Sequence, residues 1–125
     1  MNILVHSFNI SPKRGSEFSV SWNYVLQMSK LHHLYVVVGG TSHTIGDYTE
    51  LKGVRIPNVE FIFTDTGLNF KVIYGIYQKF LYRIGWWTRY IPFSIWNRHI
   101  YRTLKSNTDL LKKIDLIHFL SPVGW

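Results

Sequence analysis

The residues best suited to do chemistry lie in two short stretches, Lys13-Arg14-Gly15-Ser16-Glu17 near the start of the chain and His118 with Ser121 near its end. Gly15 has no side chain to hold backbone N–H groups away from a diphosphate, Lys13 and Arg14 bring positive charge, and Ser16 brings a hydroxyl. Glu17 would repel a phosphate and is better suited to accept hydrogen bonds from hydroxyl groups. His118 could polarise or hydrogen-bond a bound substrate. Each residue also has a plainer structural reading. Gly15 serves as a turn glycine, Ser16 as a helix N-cap, Glu17 as a partner of the helix dipole, and His118 as a core histidine held by one backbone group.

These groups need a scaffold, and the pattern of apolar residues supplies one. Residues 3–5 form a short apolar run, Pro12 and Gly15 break regular structure, and Phe18, Trp22 and Val25 recur at helical spacing, which predicts a strand over about 3–7, a loop and a helix to about Leu31. Residues 32–40 read as a second buried strand ended by glycines, 41–52 as polar with one short helix, and 59–64 as a third strand after a Pro57-Asn58 turn. A helical stripe follows over 68–87, interrupted by Gly85 and Pro92. A second helix is expected over 93–105, one further turn capped by Thr108 or Asp109, and a last buried strand over 115–120.

Strands whose apolar residues run in succession are those covered on both faces, as in a parallel sheet flanked by helices. The expected fold is therefore one α/β domain, a Rossmann-like parallel sheet in the order 3-2-1-4 over residues 1–125. In that order the sheet changes its direction of growth between strands one and four, where ligands collect at the carboxyl ends. The loop at 11–17 and the residues from His118 onward would face each other there.

Composition removes several function classes. With no Cys there is no disulfide framework, thiolate metal site or cysteine nucleophile, and the cytoplasm is the default compartment. No run approaches the roughly 18 apolar residues of a membrane span, and the N-terminus lacks signal-peptide character. The six His show no metal-ligand spacing, so no metal is expected, and the seven carboxylates form no hydrolase pair. Neither the G-x-G-x-x-G nor the G-x-x-x-x-G-K-[ST] motif occurs.

The net charge of +7 is uneven: residues 66–108 hold seven Lys and Arg, no acid and eleven aromatics. Lys71, Lys79, Arg83, Trp86, Trp87 and Arg89 within it form an expected surface for an anionic membrane or an acceptor. The plainer reading has the aromatics packing helices on the sheet while the cations are solvated. Nucleic acid is not expected as a partner, since no RRM, KH or helix-turn-helix pattern accompanies the charge.

The motif Ser11-Pro12-Lys13-Arg14-Gly15-Ser16-Glu17 followed by Trp22-Asn23, together with Asp115-Leu116-Ile117-His118, resembles the N-terminal domain of a family 4 glycosyltransferase of the GT-B fold. Where many such enzymes carry two glycines this chain has Gly15-Ser16, and where several carry a second histidine it has Leu120. The resemblance implies a retaining, metal-independent transfer of a sugar from an NDP-sugar to a glycan or lipid-linked acceptor, as in polysaccharide biosynthesis. It places Gly15 and Ser16 near the donor diphosphate or the transferred sugar, Glu17 near sugar hydroxyls and His118 at the lip of the cleft as the catalytic candidate. Lys13, Arg14 and Ser121 join the donor or acceptor contacts.

In that family the paired-glutamate region that grips the NDP-sugar belongs to a C-terminal donor domain, which is expected to be absent after Trp125. The expectation is a fragment, a truncated reading frame or one part of a split enzyme, inactive or nearly so by itself, binding no cofactor and placed at the inner membrane face. The rival expectations are a non-catalytic peripheral membrane or scaffold module of the same fold, and a small nucleotide-binding domain that works alone.

Overall fold

The computed structural model describes residues 1–7, 10–13, 15, 17–39, 51–64, 75–76, 79–80, 83–85 and 90–120. Four strands, β1 (Asn2–Ser7), β2 (His33–Gly39), β3 (Val59–Thr64) and β4 (Leu116–Leu120), form one all-parallel sheet in the order β3-β2-β1-β4, an α/β Rossmann-like arrangement. The helices are α1 (Glu17–Met28), α2 (Tyr90–Ser106) and α3 (Thr108–Lys113). The 41–50 stretch and most of the helical stripe expected over 68–87 lie outside the described residues.

Because successive side chains in a strand point to opposite faces, the apolar runs of β1 and β2 build two cores at once. Ile3, Val5, Leu34, Val36 and Val38 join Val25 of α1 on one face, while Leu4, Tyr35 and Val37 meet Ile100 of α2 and Leu110 of α3 on the other. The sheet is held in register at its amino edge by Asn2. Its backbone N–H donates to Asp115 Oδ2 at 2.7 Å, its side-chain amide donates to the Lys113 carbonyl at 2.9 Å, and its own carbonyl accepts from the Asp115 N–H at 2.9 Å.

Three boundaries differ from the sequence expectations, each for a local reason. Helix α1 ends at Met28, and the N–H groups of Lys30 and Leu31 bond back only three residues, to Gln27 and Met28, as a helix tightens before it stops. The Ser29 hydroxyl bonds to the Leu26 carbonyl at 3.1 Å, and the Ser29 carbonyl accepts from the Asn58 side chain at 3.1 Å. Asn58 has φ 62°, a left-handed conformation that Asn tolerates, so the Pro57-Asn58 turn both starts β3 and caps α1. Helix α2 begins one turn before residue 93 because Pro92 falls in its first turn, where no intrahelical N–H is needed. The cap of α3 is Asn107, whose Oδ1 accepts from the Leu110 N–H at 3.2 Å, and not Thr108 or Asp109.

The fourth strand also departs from expectation. Strand β4 is an edge strand with Leu116 47%, Ile117 49% and Phe119 65% exposed, so it is not buried on both faces. The apolar run is there, but nothing described lies beyond it. The opposite edge is better protected, since β3 carries the charged Glu60, whose carboxylate lies 3.2 Å from Nε2 of His33 on β2.

Two leucines at the junction of α1 and β2 should separate burial from mere hydrophobicity. Leu34→Ala, at a fully buried position, is expected to lower unfolding stability by about 2–5 kcal/mol, and Leu31→Ala, 76% exposed, by less than about 0.5 kcal/mol, both read from urea denaturation midpoints.

Candidate functional site

The adjacency of β1 and β4 sets the site. They pair in the register Val5↔His118, His6↔Phe119 and Ser7↔Leu120, so the loop leaving β1 and the end of β4 lie side by side at the carboxyl edge, where the order of strands reverses. Polar groups gather at this edge. Of the six buried polar side chains among the described residues, four (His6, Ser7, Ser11 and Thr64) belong to strand ends or to the loop there, so buried polar groups collect toward the carboxyl ends of the strands.

The loop is anchored at its first residues. Ile10 and Ser11 are fully buried, the Ser11 N–H bonds to the Phe18 carbonyl at 3.5 Å, and the Ser11 hydroxyl accepts from the Lys13 N–H at 3.1 Å, folding the chain into a short turn. Beyond that turn Lys13 and Gly15 are exposed. Gly15 lies outside the left-handed region, and a Cβ built on it meets no atom within 4 Å. Neither backbone conformation nor packing requires glycine there, so the space beside its backbone is open to a visitor. Glu17 is the first residue of α1. Arg14, Ser16 and Ser121 lie outside the described residues, as do Lys71, Trp86, Trp87 and Arg89; Lys79 and Arg83 are exposed.

The structure places His118 within β4. It is the third of five residues in β4, half-buried, and its ring packs on Tyr24 of α1 with centroids 4.8 Å apart and planes 31° from parallel. Tyr24 is seven residues into the helix from Glu17, about 10 Å along its axis. His118 therefore meets α1 well along the helix from the Gly15 loop. The physical reason is register: with His118 opposite Val5, the last two residues of β4 carry the strand to the carboxyl edge beyond it. The partial burial of Tyr24 raises its phenol pKa above the usual value.

One residue that motif reading passed over stands closer to that edge. His6, next to last in β1 and on the α2 face, is buried, with its ring 4.9 Å from that of Phe119. Burial lowers its pKa below the ordinary 6.5, while a side-chain hydrogen bond with Asn97 of α2 pulls the other way. The available signal was a polar pair, His6-Ser7, closing an otherwise apolar strand. Among the described residues no three imidazole or carboxylate groups converge as metal ligands. A shallow open depression of ≈ 270 Å³ lined by Leu26, Ser29, Lys30, Ile56, Pro57 and Asn58 lies at the amino edge, away from these groups.

No protein-family model, curated protein or solved structure matches this chain. No described helix is long and apolar enough to cross a membrane.

The depressed pKa of His6 fixes a sign. The unfolded chain takes up the proton first, so the contribution of neutral His6 is complete above about pH 6.5 and is lost as pH falls through its folded-state pKa. His6→Gln should flatten the fall in urea midpoint between about pH 7.5 and pH 5 relative to the parent chain. An unchanged slope would mean that His6 is not buried neutral.

Proposed function

We propose that this chain is the acceptor-side, N-terminal domain of a retaining glycosyltransferase that moves a sugar from an NDP-sugar to a glycan or lipid-linked acceptor. The observation that carries the reading is the open backbone at Gly15, on the loop that follows β1 at the switch point between β1 and β4. The motif that resembles family 4 transferases falls on that same loop.

In the reaction, the bond between the anomeric carbon and the diphosphate oxygen breaks with its electron pair leaving on the diphosphate, a bond from the acceptor oxygen to that carbon forms, and the proton of the acceptor hydroxyl passes to the departing diphosphate. The loop supplies sugar contacts. The carboxylate of Glu17 accepts hydrogen bonds from sugar hydroxyls, and the backbone at Gly15 approaches the transferred group, with Lys13 and Arg14 adding positive charge near the diphosphate. His118, two residues below the carboxyl edge and against Tyr24, is a positioning residue that seats α1 on β4. The tight grip on the donor nucleotide belongs to a separate domain, so this chain contributes sugar contacts around Gly15 and does not hold an NDP-sugar by itself.

A glycan array probed with the chain, alongside calorimetric titration with a panel of NDP-sugars, tests this. The expected result is selective carbohydrate binding with no NDP-sugar Kd below about 1 mM. Gly15→Val should weaken the carbohydrate signal at least about tenfold while leaving the thermal midpoint unchanged, because the added side chain meets open space in the free protein. Tight NDP-sugar binding by this chain, or carbohydrate binding indifferent to position 15, would contradict the proposal.

A further inference from the structure

The two edges of the sheet differ in what they offer to another chain. Strand β3 carries the charged Glu60, and charge on an edge strand discourages further pairing. Strand β4 has no Lys, Arg, Asp, Glu, Pro or Gly between Leu116 and Leu120. Strand β1 pairs with one of its sides, and among the described residues no strand pairs with the other. A strand in that position keeps a row of N–H and C=O groups that a further strand can bond.

The apolar side chains of β4 lie on both faces of the sheet. The register with β1 puts Ile117 and Phe119 on the face of Leu4 and His6, toward α2, and Leu116, His118 and Leu120 on the face of Ile3 and Val5, toward α1. Leu116, Ile117 and Phe119 are 47%, 49% and 65% exposed. A lone extended peptide would satisfy the backbone and leave both faces wet, whereas a strand that belongs to a layered sheet continues all three layers.

The five residues also complement themselves. When β4 is set antiparallel to a copy of itself about His118, Ile117 falls opposite Phe119 and Leu116 opposite Leu120, each pair on one face of the sheet. Every pair other than the central histidines is apolar with apolar. We propose that β4 is a self-pairing edge, through which two copies of this chain join antiparallel about a twofold axis at His118. The contact is closed, and it leaves β3 with Glu60 outermost at both ends, so association stops at the dimer. A pair of five-residue strands buries less than the about 1,000 Å² of a lasting interface, which sets a weak, reversible Kd on the order of 100 µM. This inference does not depend on the sugar-transfer reading.

Sedimentation equilibrium of the full chain from about 10 µM to about 1 mM is the experiment. Salt of about 0.15 M screens the repulsion between copies of charge +7. The expected result is a monomer–dimer equilibrium with no larger species. In a mixture of isotope-labelled and unlabelled chain, filtered nuclear Overhauser effects should link the Ile117 methyls of one copy to the Phe119 ring of the other. Ile117→Lys with Phe119→Lys sets like charges opposite each other and should weaken the dimer at least about tenfold, as should Ile117→Glu with Phe119→Glu. Mixing these two double variants should restore association. Both positions are exposed, so circular dichroism and thermal midpoints should match the parent. A chain still monomeric at about 1 mM, a dimer indifferent to the variants, growth beyond the dimer, or missing filtered contacts would each overturn the proposal. Any of these would leave the carbohydrate reading of the Gly15 loop untouched, and the converse also holds.

Discussion

Strand β1 is hydrogen-bonded along both edges and covered on both faces, and the placement of every described element follows from that. Its residues Ile3 to Ser7 are all buried, which no edge strand of this sheet achieves. Pairing with β2 and β4 satisfies its backbone, and alternating side chains pin α1 to one face and α2 and α3 to the other. A parallel neighbour on each side then requires that the chain leave β1 at the carboxyl edge and return through a crossover. The first such exit is the loop at residues 10–15, and its position is a consequence of the core beneath it.

The same constraint sorts polar from apolar groups. Along the middle of β1 and β2 a polar side chain would have no partner, and the described residues there are aliphatic apart from Tyr35, which lies on the α2 face with His33 beside its ring. Toward the carboxyl edge the sheet admits His6, Ser7 and Thr64. The Thr64 hydroxyl bonds to the Val38 carbonyl at 3.0 Å, so polar groups are accommodated there because strand ends offer backbone partners. A polar carboxyl edge on a dry sheet is the ordinary outcome of ending parallel strands together, before any particular ligand is considered.

Much of this was legible in the sequence, because the signals are local. The apolar runs of β1, β2 and β3, bounded by Pro, Gly and Asn, place the strands within one or two residues, and the Pro12 and Gly15 interruption places the loop. What was illegible depends on neighbours distant in the chain. The apolar run of β4 reads like a buried strand, but burial is decided by what lies beside it, and its outer edge is open among the described residues. The contact between His118 and Tyr24 requires the β1–β4 register and the rotation of α1 together, neither of which residue spacing encodes. His6 was passed over because one polar residue in an apolar run is ambiguous until the face it lies on is known. Phe80 and Ile84, which helical spacing places on an apolar stripe, are exposed, and spacing does not encode which side such residues face.

The account rests on β1 lying between β2 and β4 in parallel register. Backbone nuclear Overhauser effects in the isotope-labelled chain measure this directly. Cross-strand contacts linking Leu4 through His6 to both Tyr35–Val37 and Ile117–Phe119, with slowly exchanging β1 amides, are the predicted result. Contacts from β1 to only one of these strands, or rapid exchange along β1, would put it at an edge, and the switch point beside it would not exist.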